Sequence, residues 1–303
     1  MSLKSLPSTP TVAEFDALHD EPAAWRQVMA SLAAQYSAEP ARQVSEGTVL
    51  VALLGTELVI KLYPPFLRDH HNFECAALQV LSGRLSIPTP KLRSTGEHDG
   101  WPYLVMSQLA GDGLTSAWPS LDEAQKCALL LRLGALAQEV HSVPVDSMRP
   151  LAPNWLDFIE TQRQRVHARQ LRTGLPSHLL SQLDIFLQGP LPSGADVILT
   201  GEYTPMNLLV EGSTLVGMYD FGDGLVGPRE YDWLGPLAFL AAGNTARCRA
   251  FFDGYGVWPD AQQRQALLRL LLLHRYSNLP AQLACPGWQR AQTFEELSAI
   301  LWP

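Results

Sequence analysis

The stretch VILTGEYTPMNLLVEGSTLVGMYDFGD, residues 197–223, carries the signals from which the fold and the site can be predicted. It begins with an apolar strand, continues through an irregular polar loop over residues 200–206, and then shows two apolar runs around a turn at 211–213. Two apolar runs on either side of a turn that contains glycine predict a β-hairpin. Closing this hairpin brings Asn207, before its first strand, level with Asp220, after its second.

A third polar side chain belongs to the same region. Glu202 lies in the loop, five residues ahead of Asn207. The hairpin therefore predicts that two carboxylates and one carboxamide converge at one end of it. Such oxygen donors suit a phosphate-bound Mg²⁺ ion and an acceptor hydroxyl. The alternative interpretations are turn capping by Asn207 and Asp220 and an ordinary loop carboxylate at Glu202.

The composition indicates a globular protein that is not a general nucleic-acid binder. Of the 303 residues, 47% are hydrophobic and 17% are charged, and the formal net charge is −8. A chain of this kind can bury a substantial core. No basic block offsets the acidity, which argues against nucleic acid as a partner. The negative charge would suit a cationic small substrate, although many proteins of other functions are equally acidic.

The cysteines and the apolar runs predict a cytoplasmic protein without a membrane partner. The four cysteines are far apart and show neither a CxxC nor a Cys/His metal spacing, so we predict buried, reduced thiols. The N-terminal segment has no apolar core of signal-peptide length. The most apolar run, residues 267–273, is far too short to span a bilayer.

Before about residue 107, several segments alternate between apolar and polar residues, which predicts strands. After a helix over 12–36, turn signals and alternation predict strands at 43–45, 48–54, 57–63, 91–95 and 103–108, with a helix at 67–81. Lys61 is one cation on an apolar strand, and Glu74 falls on the apolar stripe of the helix. A buried carboxylate needs a partner, so we predict a Lys61–Glu74 ion pair. The alternative is that both side chains reach solvent.

The rest of the chain is predicted to be mostly helical. Outside the hairpin, helices are expected at 121–141, 155–171, 177–187, 230–242, 247–255, 260–277 and 288–301. The predicted organisation is a small β-rich lobe over residues 1–107 and a larger helical lobe over residues 108–303. His70 and His71 begin a helix with no third metal ligand in view, so we expect them to be solvated.

Seven segments carry a specific combined signal through their order. They are LVIKLY, HNFECAALQVL, IPTPKL, YLVMSQLAG, LGALAQEVHSVPV, LTGEYTPMNLLVEG and YDFGDGLVGPREYDW. In this order they resemble the motifs of the aminoglycoside phosphotransferase family, which are small-molecule kinases. The resemblance implies an α+β, bilobal protein-kinase-like fold with a five-stranded antiparallel sheet in the small lobe and a mostly helical large lobe.

The resemblance also implies the reaction and the nucleotide contacts. The expected activity is ATP- and Mg-dependent transfer of the γ-phosphate to a hydroxyl of a small polar molecule, aminoglycoside-like or a metabolite, with GTP left open. Lys61 would contact the phosphates and Glu74 would hold it. The turn around Ser45 and Gly47 would cover the phosphates. The adenine would lie near Met106, with backbone contacts from Ser107 and Leu109.

In the second lobe the resemblance assigns magnesium binding to Asn207 and Asp220, catalysis to Glu202, and bracing of the catalytic loop to Asp232. Two residues depart from the usual His-Gly-Asp pattern of this loop, which reads Thr200-Gly201-Glu202 here. Glutamate places its carboxylate roughly 1.5 Å farther out than aspartate. We favour a working base, and the alternatives are a nucleotide-binding pseudokinase and, less well matched because GxGxxG is missing, a protein kinase.

Overall fold

Two compact units make up the structure, a computed structural model that describes residues 5–44, 47–201 and 203–303. The N-terminal unit comprises Met1–Gly83 and Pro88–Ala110, and the C-terminal unit comprises Arg84–Ile87 and Gly111–Pro303. Each unit has its own secondary structure and its own buried apolar residues.

The N-terminal unit opens with two helices, α1 (Val12–His19) and α2 (Pro22–Ala33). The single helix expected over residues 12–36 is therefore wrong. Asp20 ends α1, and the proline at the first position of α2 starts a new helix, where its missing N–H costs nothing. A capping box between Thr11 and Glu14 fixes the beginning of α1.

An antiparallel sheet follows, and it confirms the predicted sheet of the small lobe. Its strands and the helix between them are β1 (Ala41–Val44), β2 (Leu50–Leu54), β3 (Leu58–Leu62), α3 (Arg68–Leu81), β4 (Leu92–His98) and β5 (Trp101–Ser107). Among the described residues of this unit the sheet has five strands in the order β1-β2-β3-β5-β4. Neighbouring strands all run antiparallel.

The two faces of this sheet bury different kinds of side chain. On one face, apolar residues of α2 such as Trp25 and Met29 pack in one cluster with Leu50, Ile60 and Leu62 of the strands. Because alternate residues of a strand point to opposite faces, Lys61 lies on the other face, where it meets Glu74 of α3. The alternation therefore decides where the cation of β3 is placed.

His71 contradicts the expectation of a solvated histidine pair. Only 7% of His71 is exposed. Its Nε2 lies 3.0 Å from the Thr95 hydroxyl oxygen and 3.1 Å from the Tyr103 carbonyl oxygen. The helix turns this ring toward the sheet, so its polar atoms find partners on β4 and β5 instead of water.

Mostly helices make up the C-terminal unit. In chain order its elements are β6 (Asp112–Gly113), α4 (Leu114–Ala117), α5 (Glu123–His141), α6 (Trp155–Thr173), α7 (Ser177–Leu180), α8 (Leu183–Phe186), β7 (Asp196–Leu199), β8 (Leu208–Glu211), β9 (Thr214–Met218), β10 (Leu225–Pro228), α9 (Glu230–Pro236), α10 (Thr245–Tyr255), α11 (Ala261–Leu273), α12 (Leu279–Gln282) and α13 (Phe294–Leu301).

Several predicted helices are shorter than expected. The helix expected over 177–187 is two short helices, α7 and α8, and that over 288–301 is a 3₁₀ turn followed by α13. Pro236 lacks the N–H that a continuing α-helix needs, and after it the chain forms a π-turn, Leu237–Ala241. Helix α11 ends at Leu273, because His274 has a ψ of 138°.

Short strands position the loop between β7 and β8. Strand β7 pairs with β10, with Leu199 opposite Leu225. Strand β8 pairs with β9, with Leu208 opposite Met218, and with the short strand β6. The predicted hairpin is thus present, and the loop before it is tied to a strand at each end.

Helices α5 and α10 pack closely through glycines. A Cβ atom added to Gly134 of α5 would overlap the carbonyl oxygen of Phe251, and one added to Gly254 of α10 would overlap that of Leu131. The two backbones therefore approach each other where neither has a side chain. This contact orients α5, whose last residue is His141.

The prediction of buried, reduced thiols is confirmed in part. All four cysteines are free, and Cys248 and Cys285 are buried, whereas Cys75 and Cys127 are only partly buried. Burial raises the pKa of Cys248 to about 12. No helix in the described part of the chain is long and apolar enough to cross a membrane.

The glycine contact between α5 and α10 predicts a loss of stability on substitution. Alanine is normally the better helix former by about 1 kcal/mol, but at Gly134 its methyl group meets a backbone atom that has little room to move. We expect Gly134→Ala to lower the free energy of unfolding by about 1–3 kcal/mol, measured by urea denaturation. Gly194→Ala is the control, since no atom lies within 4 Å of its added Cβ. Equal stability of the two variants would contradict the close approach.

Candidate active site

In the N-terminal unit, Lys61 and Glu74 form a buried ion pair. The Lys61 Nζ lies 2.7 Å from the Glu74 Oε1. Their exposed fractions are 5% and 0%. Breaking a buried pair by removing one partner costs roughly 3–5 kcal/mol, so the pair fixes the ammonium group on β3. The sequence argument from an unpaired buried carboxylate thus identified the correct partner.

The sequence argument missed a second donor to the same carboxylate. The hydroxyl of Tyr63 donates a hydrogen bond to the Glu74 Oε2. Tyr63 follows Lys61 by two residues and so points to the same face of the sheet. Both carboxylate oxygens of Glu74 are therefore engaged, which holds the side chain in one orientation. The alternation of Val59, Lys61 and Tyr63 was visible in the sequence, but it carried no signal for this bond.

The residues predicted to contact adenine lie at the end of β5. Met106 is buried, opposite Val59 of β3. The N–H of Ser107 donates to the Lys91 carbonyl oxygen at 2.9 Å, and its hydroxyl accepts from the Lys91 N–H at 2.8 Å. Because the N–H of Ser107 is already bonded to Lys91, any contact from the backbone of Ser107 to adenine must come from its carbonyl oxygen. Leu109 follows the strand and is half-buried.

The turn predicted to cover the phosphates is described only in part. Gly47 lies in a bend before β2 with a φ of 108°, a conformation that L-residues rarely adopt. Ser45 lies outside the described residues, as does Glu202, the predicted catalytic residue. The positions of Gly201 and Tyr203, which flank Glu202 in the sequence, are described.

In the C-terminal unit, the hairpin brings Asn207 and Asp220 to the same end. The carbonyl oxygen of Asn207 accepts from the N–H of Tyr219 at 3.1 Å, and the Tyr219 hydroxyl donates to the Met206 carbonyl oxygen at 2.6 Å. The base of the hairpin is therefore closed one residue before Asp220. Asp220 itself has a φ of 69°, an uncommon left-handed conformation that turns the chain away from β9.

The donor set at this end fits magnesium. Asn207 and Asp220 supply carboxamide and carboxylate oxygens, which are the hard ligands that Mg²⁺ prefers. No group of three or more His, Cys, Asp or Glu side chains within the described ranges is placed to hold a metal ion. Magnesium is commonly bound by one or two carboxylates together with substrate phosphates, so a larger protein cluster is not needed here.

Asp232 braces the loop between β7 and β8, as the resemblance implied. Its Oδ2 accepts from the N–H of Thr200 at 2.9 Å, and its Oδ1 accepts from the N–H of Gly201 at 3.0 Å. The Nε2 of His141, at the end of α5, lies 3.1 Å from the same Oδ2. Asp232 is 1% exposed, and hydrogen bonds to a buried carboxylate are strong because little water competes.

Gly201 allows the two loops of this region to touch. Its φ is 81°, and a Cβ atom added there would lie 2.5 Å from the carbonyl oxygen of Asp223. Any side chain at position 201 would therefore separate the loop before β8 from the segment after Asp220. The glycine of the Thr200-Gly201-Glu202 motif is required both for its backbone conformation and for this close approach.

Three residues after α11 contact these loops, and the sequence carried no signal for them. The Arg275 Nη1 and the Tyr276 hydroxyl donate to the Asp223 Oδ1, at 3.1 and 2.9 Å. Burial alone would lower the pKa of Arg275, but Tyr231 and Asp223 raise it. Burial and Arg275 lower the pKa of His274 to about 3, so His274 is neutral at pH 7.

The chain is similar to known proteins over most of its length. The sequence model of a family described as the phosphotransferase enzyme family matches residues 37–273. That range includes Lys61, Glu74, Asn207, Asp220 and Asp232. It covers well over half of the chain, so the match does not depend on any single motif.

Solved structures share the fold at low sequence identity. The streptomycin–ATP ternary complex of APH(2")-IIa is 19% identical, with a TM-score of 0.62 over 85% of this chain and 96% of that one. A GDP and kanamycin complex of another APH(2") enzyme is 20% identical, with a TM-score of 0.67 over 82% and 88%. Macrolide 2'-phosphotransferase MphH from Brachybacterium faecium is 18% identical, with a TM-score of 0.58 over 80% and 87%. These likenesses confirm the predicted protein-kinase-like fold.

The bracing role of Asp232 predicts the effect of removing its charge. Asp232→Asn replaces one acceptor oxygen by an amide group that faces backbone N–H donors. We expect the free energy of unfolding to fall by about 2–3 kcal/mol, measured by urea denaturation. Asp146→Asn is the matched control, because Asp146 is exposed. A change at Asp232 no larger than that of the control would contradict the brace.

Proposed function

Because the chain belongs to the phosphotransferase enzyme family, we propose that it transfers the γ-phosphate of ATP to a hydroxyl of a small polar molecule. The observation that carries the proposal is the base of the β8–β9 hairpin. There Asn207 and Asp220 lie at one end, directly after the braced loop whose sequence contains Glu202. In kinase-like phosphotransferases the base of the catalytic loop comes first along the chain, and the two metal ligands follow it.

We assign nucleotide binding to the N-terminal lobe, residues 1–107. Lys61 binds the ATP phosphates through an ammonium group that Glu74 holds in place. The turn at Ser45 and Gly47 covers the phosphates. The adenine lies against Met106, with the Ser107 carbonyl oxygen and the Leu109 backbone as hydrogen-bonding groups. GTP is the alternative nucleotide, and assays with both nucleotides separate the two.

We assign the chemical step to the C-terminal lobe, residues 108–303. Asn207 and Asp220 hold Mg²⁺, which offsets the charge of the phosphate oxygens when bound. Glu202 orients the acceptor hydroxyl and accepts its proton. The acceptor oxygen forms a bond to the γ-phosphorus while the bond from that phosphorus to the β–γ bridging oxygen breaks, which releases ADP.

The residue at position 202 raises a second candidate function. A misplacement of about 1 Å in an active site can cost on the order of a hundredfold in rate, and glutamate extends farther than the usual aspartate. If the loop were not adapted to the longer side chain, the protein would bind nucleotide without transferring phosphate. The backbone bonds from Thr200 and Gly201 to Asp232 support the first proposal, because they preserve an ordered loop next to Glu202.

The acceptor is proposed at the level of chemical class. Hydroxylated compounds are the expected substrates, and the net charge of −8 favours those that carry a positive charge. Aminoglycosides and ordinary metabolites both belong to this class. A panel that pairs amino-substituted with neutral hydroxylated compounds of similar size tests the preference for charge.

Substitution of Glu202 separates the two candidate functions. We expect the wild type with Mg-ATP to phosphorylate a compound of the panel, and Glu202→Ala to lower kcat by about 10²–10⁴-fold, the usual contribution of a general base. Glu202→Asp tests whether the loop is adapted to the longer side chain. The measurement is acceptor-dependent ADP release. An inert wild type that still binds Mg-ATP would favour the pseudokinase.

Substitution of Lys61 tests nucleotide binding. Lys61→Met removes the phosphate contact and leaves the Glu74 carboxylate buried beside the Tyr63 hydroxyl. We expect the rise in melting temperature caused by Mg-ATP to disappear and kcat/KM for ATP to fall at least tenfold. Lys126→Met is the control, since Lys126 pairs with Glu123 one helical turn away on α5. An unchanged nucleotide response in Lys61→Met would contradict the assigned role.

A further inference from the structure

The segment His274–Arg275–Tyr276, which holds Asp223, is itself fixed to helix α6. The buried side chain of Arg169 donates to the carbonyl oxygens of Leu272 and Arg275, at 3.3 and 3.5 Å. The buried side chain of Gln170 donates to the Leu272 carbonyl oxygen at 3.1 Å and to the Ser277 hydroxyl at 2.8 Å. The chain on both sides of Arg275 is therefore anchored in the core of the unit.

Arg275 is held by more than its backbone. Its guanidinium lies 5.0 Å from the centre of the Phe158 ring of α6. His274, next to it, stacks on Tyr231 of α9 with the ring centres 4.8 Å apart. A guanidinium that lies over an aromatic ring is more strongly oriented than a free surface arginine. Arg275 thus presents its Nη1 to Asp223 from a fixed position.

The other end of the connection is the catalytic loop. Asp223 accepts from Arg275 through its carboxylate, and its own carbonyl oxygen lies against Gly201. The N–H of Gly224 bonds to the carbonyl oxygen of Phe221 at 3.1 Å, which makes the segment after Asp220 a tight turn. A continuous series of contacts therefore runs from α6 through Arg275 and Asp223 to Gly201.

We propose that Asp223 is a positioning residue, held by Arg275 and Tyr276, that fixes the catalytic loop, and that it binds neither the acceptor nor the metal. The proposal rests on the proposed function for its kinetic part. It replaces an obvious alternative: a carboxylate three residues after Asp220 could serve as a second metal ligand or as the binding group for a cationic acceptor.

Charge and geometry favour the positioning role. The Asp223 Oδ1 already accepts two hydrogen bonds, one of them from a guanidinium. A carboxylate whose charge is offset by a neighbouring arginine attracts a second cation less strongly. The role also addresses the departure from the His-Gly-Asp pattern. With threonine in the histidine position, the loop is held by Asp232 on one side and contacts Asp223 at Gly201.

A double-mutant cycle tests the proposal. The variants are Asp223→Asn, Arg275→Gln and the two together, with Tyr276→Phe as a milder third change on an exposed side chain. If Asp223 acts through Arg275, each single variant lowers kcat about tenfold to a hundredfold, and the double variant is no worse than the worse single one. The KM for the acceptor and the Mg²⁺ concentration for half-maximal rate stay within about twofold.

The alternative roles give different results, and each would overturn the proposal. An acceptor-binding Asp223 raises the acceptor KM at least tenfold in Asp223→Asn while Arg275→Gln leaves it unchanged. A metal-binding Asp223 shifts the Mg²⁺ dependence. Additive losses in the double variant would show that Asp223 and Arg275 act separately.

Amide hydrogen exchange provides a readout that does not need turnover. The N–H groups of Thr200 and Gly201 are bonded to Asp232, and we expect them to exchange at least fivefold faster in Asp223→Asn, Arg275→Gln and, to a smaller extent, Tyr276→Phe. Arg149→Gln and Asp196→Asn are the matched controls, because they break an exposed Arg–Asp pair at β7. Unchanged exchange overturns the proposal. Faster exchange in an inert wild-type background supports the positioning role and refutes the proposed function alone.

Discussion

The candidate site of the C-terminal unit depends on the hydrogen bonds that the Asp232 carboxylate accepts from the loop before β8. A loop with two buried N–H groups needs an acceptor, since each unsatisfied one costs about 1–3 kcal/mol. Asp232 satisfies both at once and is held from behind by His141. That arrangement requires α5 to end at this point, and α5 is oriented by its glycine contact with α10. The packing of α5 against α10 therefore sets the position of the loop that Asp232 holds.

The N-terminal unit solves a similar problem by alternation along a strand. Apolar residues of β3 face the cluster around α2, so the residues between them must face α3. Lys61 and Tyr63 are on that second face, and both bond to Glu74. In each unit a buried carboxylate collects donors from a neighbouring element. Glu74 and Asp232 can be buried because hydrogen-bond donors engage both oxygens of each carboxylate.

Particular residues show how far sequence reasoning reached. Lys61, Glu74 and Asp232 were found because a buried charge needs a partner and because motif order placed them. The hairpin that joins Asn207 and Asp220 was found because its two runs and its turn are local. Arg275 and Tyr276 were not found: they follow α11 about 52 residues after Asp223. The end of α11 itself was misjudged, so those residues were placed inside a helix.

The sequence by itself determined the β-rich and helical parts, the hairpin and the identity of the polar groups, since strand alternation, turn residues and buried charges act over short distances along the chain. The fold class followed from the resemblance that the order of seven motifs carries. The Lys61–Glu74 pair was predicted from the sequence, but only the tertiary structure showed several other contacts that hold these groups in place. The contacts of Tyr63 with Glu74, of Arg275 with Asp223 and of Asp223 with Gly201 join different elements. Periodicity shows which face of a helix is buried, but it does not show which residues of another element that face meets. The local sequence of residues 197–223 thus specifies the hairpin and its polar side chains. Contacts from α5, α6 and the segment after α11 hold that stretch in place.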